Sequence, residues 1–183
     1  RTICGALKAG RASQTERALP RLLDPEAEVL QPFLNPTVVL VPVPRSAPLR
    51  EDTLWPSKVI ADVLCEAGYG AAVQPLVERM TAVPKSAYAA QGARPLIQEH
   101  KASMRVRADM FGPEQITLVD DVLTMGRTTV ACAELLQEQF PAATVRIFAM
   151  LRTLGLQDEI ETVFDPVVGT VTGYPSGKSF REP

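Results

Sequence analysis

The stretch Ile116-Thr117-Leu118-Val119-Asp120-Asp121-Val122-Leu123-Thr124-Met125-Gly126-Arg127-Thr128-Thr129 decides the fold. Ile116 to Val119 is an apolar, β-branched run without alternation, as expected of a strand buried on both faces of a parallel sheet. Two carboxylates follow at its C-terminal end, which is where ligands bind in open α/β sheets. A short turn containing Gly126 and Thr124 then opens a helix, Thr128 to Gln139, with Val130, Ala133, Leu136 and Phe140 at helical spacing. Backbone N–H groups at a helix start, helped by threonine hydroxyls, form an anion cradle. Acids beside such a cradle make sense when something neutral or cationic lies between them. A ribose 5-phosphate does this: its hydroxyls donate to the acids while its phosphate sits on the amides. Mg²⁺ can join through its preferred oxygen ligands. The plainer alternative is a strand end whose aspartates cap the following helix.

The pattern repeats outward. Ile3 to Lys8 reads as the end of a helix and Thr15 to Leu23 as another, stopped near Asp24-Pro25. Thr37 to Val43 (TVVLVPV) is a second buried strand, ending in the proline-punctuated loop Pro44 to Pro48. A helix over about Pro56 to Ala67 presents Val59, Val63 and Ala67 on one stripe and stops at Gly68 and Gly70. Ala72 to Val77 is a weaker strand, Thr144 to Met150 a further one, and Thr162 to Val168 the last expected. From Glu78 to Ala102 no period is sustained, as in a functional or mobile loop. Strands alternating with helices predict an α/β fold: a central, mostly parallel sheet flanked by helices. The expected organisation is one domain over 1–183, with an N-terminal helical or hood part (1–36), an α/β core (37–170) and a C-terminal tail (171–183).

Charge narrows the function. With 19 Lys plus Arg against 21 Asp plus Glu, the chain lacks the basic excess of a nucleic-acid scaffold. Cys4, Cys65 and Cys132 are far apart and form no C-x-x-C pair, which excludes a disulfide framework or cysteine zinc site and suits a reducing, cytoplasmic setting. His100 is the single histidine, so a multi-histidine metal site is excluded; a partly exposed polar residue is expected there. No apolar run reaches the roughly 20 residues that span a membrane, and no signal-peptide pattern opens the chain. The chain begins at Arg1 rather than Met, as a trimmed or fragmentary product would.

The 116–129 stretch resembles the phosphoribosyl-pyrophosphate (PRPP) motif of the type I phosphoribosyltransferases: apolar strand, adjacent acids, then a Thr/Gly-rich loop. The resemblance implies that Asp120 and Asp121 are the catalytic acids, hold the ribose hydroxyls, and meet Mg²⁺ directly or through water. It also implies that Thr124, Met125, Gly126, Arg127 and Thr128 wrap the 5-phosphate, with Met125 replacing the commoner threonine and Arg127 either adding charge or facing solvent. Ile3 to Gly10, Val41 to Arg45 (VPVPR) and the Arg79-to-Val106 segment fall in the order found in the ComF-like branch. The zinc-binding cysteines of that branch are absent, and its Arg-Gly-Phe-Asn segment is replaced by Thr53-Leu54-Trp55-Pro56.

By the same resemblance, the loop Pro44 to Asp52 binds pyrophosphate, through Arg45, Ser46 and Arg50. A flexible loop over roughly Arg79 to Arg94 closes the site, with Arg79 and Lys85 as its cations; each has a solvated surface charge as its plain alternative. The implied activity is transfer of a phosphoribosyl group from PRPP to a nitrogenous base, with release of pyrophosphate. The alternative is a non-catalytic, ComF-like PRPP or nucleotide sensor. The implied partners are PRPP and a nucleobase or nucleoside monophosphate, with a homodimer also compatible. Lys101, Arg105 and Arg107 read as an exposed basic face. Gly173 to Ser179 is one residue too short for a Walker A loop and reads as tail. Trp55 and Tyr88 could stack on a base, though packing is the commoner use of both.

Overall fold

The computed structural model describes residues 9, 12–13, 15–17, 25–84, 94–107, 112–153 and 166–182. Its centre is a four-stranded parallel sheet. The strands are β1 (Val39–Pro42), β2 (Ala72–Val73), β5 (Gln115–Leu123) and β6 (Thr144–Arg152), in the order β2-β1-β5-β6. The remaining elements are a 3₁₀ helix (Pro25–Leu30), helices α1 (Pro56–Glu66), α2 (Ile97–Ala102) and α3 (Arg127–Gln139), and the short strands β3 (Val77–Arg79), β4 (Met104–Val106), β7 (Val171–Gly173) and β8 (Ser179–Arg181). The expected α/β class is what the chain forms.

The two inner strands explain the unalternating runs. β1 and β5 lie side by side in register from Val39↔Ile116 to Pro42↔Val119, and each is covered on both faces. On one face Leu40 and Val119 pack with Ile60, Ala61 and Leu64 of α1. On the other, Val41, Ile116 and Leu118 pack with Val130, Ala131 and Leu136 of α3. Pro56 at the first position of α1 starts that helix without giving up a needed N–H. Its buried stripe is Ser57, Ile60, Ala61 and Leu64 with Val63, whereas Val59 is half-buried and Ala67 is an exposed cap residue. The expected Val59-Val63-Ala67 stripe is therefore rotated by about a residue, and the true one brings Ser57 to the sheet end.

Other departures are local. Ala72 to Val77 does not form one strand: Ala72–Val73 joins the main sheet, while Val77–Arg79 turns away to pair antiparallel with β4. The patternless Glu78-to-Ala102 segment contains the end of β3 and all of α2. β5 and β6 run further than their apolar cores, β5 through the acidic pair to Leu123. The expected last strand falls partly outside the described residues; its described part, 166–168, is unpaired. In its place β7 and β8 form an antiparallel hairpin closed by a turn at Tyr174–Lys178, where Gly177 takes φ +76°. That turn is the Walker-like segment.

Of the two N-terminal helices, residues 15–17 are helical, while 3–8 and 18–23 lie outside the described residues. No helix among the described residues is long and apolar enough to cross a membrane.

Candidate functional site

A cleft of about 370 Å³ opens at the C-terminal ends of β1 and β5, a size suited to a nucleotide-sized ligand. Its floor is Asp120 and Asp121, still within β5, and one wall is the turn Thr124 to Thr128 that leads into α3. The opposite wall is Val43 to Ser46, from the loop after β1. Every residue expected to hold ribose or the 5-phosphate thus meets in one place.

The turn Thr124 to Thr128 has the shape that an anion cradle needs. Gly126 is the N-cap of α3 in the left-handed region, φ +75°, and no side chain caps the helix. The aspartates therefore do not serve as helix caps, which removes the plainer alternative for them. The N–H groups of Arg127, Thr128 and Thr129 are first-turn donors with no intrahelical acceptor. The Gly126 carbonyl is tied down by Val130 N (2.8 Å) and Thr129 Oγ1 (2.7 Å). From outside, the hairpin braces the turn: Ser179 Oγ donates to Met125 O (2.6 Å) and Arg181 Nη1 to Leu123 O (2.9 Å).

A Cβ on Gly126 would lie 2.6 Å from Val171 Cγ1. Gly126→Ala is accordingly expected to cost about 1–3 kcal/mol, from left-handed strain and this contact. Urea unfolding measures the loss, and a parallel titration with ribose 5-phosphate should show weakened binding.

The acids are held tightly. Asp120 Oδ1 accepts from its neighbour's backbone, Asp121 N (2.9 Å), and from Ser57 Oγ (3.4 Å). Burial, then the adjacent Asp121 charge, pushes the Asp120 carboxyl well above the usual carboxylate range. Ser57 was invisible to motif reading, although its place in the first turn of a helix that follows a buried strand by a loop is a usable hint.

The cations divide. Arg45 lines the cleft, its Nη1 donating to Leu54 O (2.7 Å), and Ser46 lines it beside Arg45. Arg50 is exposed on the loop and does not line the cleft. Arg79 is not a mobile-loop residue: it sits in β3, 5% exposed. Its Nε donates to Arg45 O (2.9 Å), its Nη1 to His100 O and Ser103 Oγ, and its Nη2 is buried without a partner. Lys85 and Tyr88 lie outside the described residues. Arg127 neither reaches into the cradle nor points to solvent, because its Nη1 donates to Arg94 O (3.0 Å) and Pro95 O (3.2 Å).

The cleft thus gathers Arg45, Arg79, Arg94 and Arg127 around Asp120 and Asp121, an excess of positive charge suited to a polyanion. The outlying basic residues are matched by acids instead: Lys101 by Glu134 and Glu138, Arg105 and Arg107 by Glu78.

His100 departs most from expectation. It is 2% exposed and lines the cleft, with Nε2 3.4 Å from Thr128 Oγ1. Burial, and then the Arg79 charge, lowers its pKa to about 4, so the ring is neutral at physiological pH. Trp55 packs in the core and donates from Nε1 to Val43 O (2.8 Å). Burial pushes the Cys132 thiol up to about 12, which leaves it inert as a nucleophile.

Among the described residues no three His, Cys, Asp or Glu side chains cluster to hold a metal ion. Two adjacent carboxylates nevertheless fit Mg²⁺, which keeps several waters and is commonly shared between one or two carboxylates and substrate phosphates. No protein-family model matches this chain, and no curated protein matches it at a significant level.

Proposed function

We propose that this chain is a type I phosphoribosyltransferase-like protein that binds PRPP and transfers its phosphoribosyl group to a nitrogenous base. One observation carries the reading. The acidic pair at the end of β5 and an uncapped helix start with a left-handed Gly126 share one cleft lined by four arginines. Asp120 and Asp121 accept the ribose hydroxyls, and the 124–128 turn receives the 5-phosphate on backbone N–H groups. Pyrophosphate lies towards Arg45 and Ser46, with Arg79 behind them.

The base nitrogen forms its bond to C1 as the C1–O bond to pyrophosphate breaks. The electron pair leaves on pyrophosphate, and the nitrogen's proton passes to solvent. Arg45 and Arg79 favour that departing charge. Asp120 and Asp121 would hold Mg²⁺, which would supply neutralising charge to the pyrophosphate oxygens. No protein nucleophile is needed, in keeping with an inert Cys132. A cytoplasmic location goes with this reading.

A second reading has its own support. Arg79, expected as a cation of the closing loop, is fixed in a strand by bonds to Arg45 O, His100 O and Ser103 Oγ. A protein that binds PRPP and signals through a partner would tolerate that. The two are separated by incubating the protein with PRPP, Mg²⁺ and a panel of nucleobases while following pyrophosphate release. Release with any base is expected. PRPP binding without release would establish the sensor, and absence of PRPP binding would overturn both readings.

A further inference from the structure

We propose that His100 is a positioning residue of the phosphate turn: its imidazole fixes the Thr128 hydroxyl so that the hydroxyl's one proton points at a phosphate monoester in the cleft. This rests on reading the 124–128 turn as a phosphate cradle, but not on turnover.

Among the described residues the ring has one polar neighbour. His100 Nε2 lies 3.4 Å from Thr128 Oγ1, and Nδ1 is buried without a partner. A neutral imidazole has one N–H and one bare nitrogen, whereas a hydroxyl has one proton and two lone pairs. With the proton on Nε2, the ring donates to a Thr128 lone pair and the bare Nδ1 is the atom left over. The other tautomer would bury an N–H with no acceptor, the rarer and costlier arrangement. A Thr128 oxygen that accepts from His100 has its own proton free for the anion beside it.

The ring is well anchored for this task. Its carbonyl accepts from Ser103 Oγ (2.7 Å) and Arg79 Nη1 (3.4 Å), and α2 is tied to the hairpin through Ile97 N and Gly177 O (2.9 Å). The charged groups that face it are Arg79 from β3, Arg127 from α3 and Glu99 from its own helix. Two guanidinium groups against one carboxylate, together with burial, keep the ring neutral. His100 therefore acts as a directed donor rather than as a charge.

The test is calorimetric titration of ribose 5-phosphate into the full chain at pH 7. His100→Ala and Thr128→Val should each weaken binding about tenfold, the worth of one hydrogen bond to a charged group's partner. The double variant should be no weaker than Thr128→Val alone, because the histidine works through that hydroxyl. His100→Gln, whose amide can donate to the same oxygen, should bind within about threefold of wild type.

Losses that multiply in the double variant, or unchanged affinity in His100→Ala, would overturn the proposal, as would no binding by the wild type. If His100→Ala does not fold, His100→Gln is compared with His100→Met, which fills the space without a donor; equal affinities then sink the idea. Coupled binding without pyrophosphate release would leave this inference standing and remove the transferase reading. Release without coupling would do the reverse.

Discussion

With Asp120 and Asp121 both changed to asparagine, affinity for PRPP with Mg²⁺ is expected to fall by at least 100-fold while the unliganded protein melts at a higher temperature. The first effect follows from the acceptors lost. A hydrogen bond to a charged group is worth roughly 1.5–3 kcal/mol, so two ribose contacts together represent about 100- to 10,000-fold in affinity. The second follows from what the unliganded site endures. Asp120 is forced to share a low-dielectric floor with Asp121, and both burial and that neighbour disfavour its charge. Asparagine removes the charge yet keeps an oxygen to accept from Asp121 N and Ser57 Oγ, the contacts that hold the side chain. A rise of a few degrees is in the range of such relief. Titration calorimetry and thermal melts at pH 7 read the two effects separately. Binding that survives within tenfold would mean that ribose does not sit on these acids.

The second large effect is a pH dependence that can be assigned to His100. Its pKa falls from the ordinary 6.5 to about 4 in the folded chain. Between those values the unfolded chain binds a proton that the folded chain refuses. The contribution of the neutral ring is therefore complete above pH 6.5 and is lost as the pH falls to about 4, a total of about 3 kcal/mol. Asp120 works in the opposite direction, since its raised pKa makes acid relieve the cost of its buried charge. The wild type alone would show only their sum. Urea unfolding of wild type and His100→Gln across pH 7 to pH 4 isolates the histidine: the stability difference should shift against the wild type by about 3 kcal/mol. A difference that stays constant would show that the ring is solvated or charged.

Both effects involve residues whose roles were unequally legible. β1, β5 and α3 are readable from the chain because burial on two faces demands unbroken apolar runs and because Val130 and Leu136 repeat at helical spacing, while β6, an edge strand with only Phe148 fully buried, is readable from its β-branched Thr144, Val145 and Ile147. The acidic pair and the glycine turn are readable because strand, acids and turn stand in one continuous run of sequence, so local order alone predicts that they meet. α2 is not readable: Ile97 to Ala102 is six residues with only two buried, too short to show a period. β2 and β3 read as one strand because apolar residues continue across Pro75, yet that proline is the breaker at which the chain leaves the main sheet.

Arg79 and His100 were misplaced for one reason. Their partners stand 21 to 34 positions away, Arg79 with Arg45, His100 and Ser103 and His100 with Thr128, and local pattern holds no trace of them. Arg127 was weighed between cradle and solvent, when its actual partners are the carbonyls of Arg94 and Pro95.

The hairpin that braces the 124–128 turn also sets a timetable. Ser179, which fastens Met125, lies 54 positions further along the chain. At a synthesis rate of about 5–20 residues per second, the turn leaves the ribosome roughly 3–10 s before its fastener. Through that interval the parallel sheet can gather β1, β2, β5 and β6, while Gly126 still lacks Val171 beside it and the Met125 carbonyl lacks Ser179. The 124–128 turn thus matures after the sheet that carries it, so a nascent chain gains its central sheet before the turn at its edge is fastened.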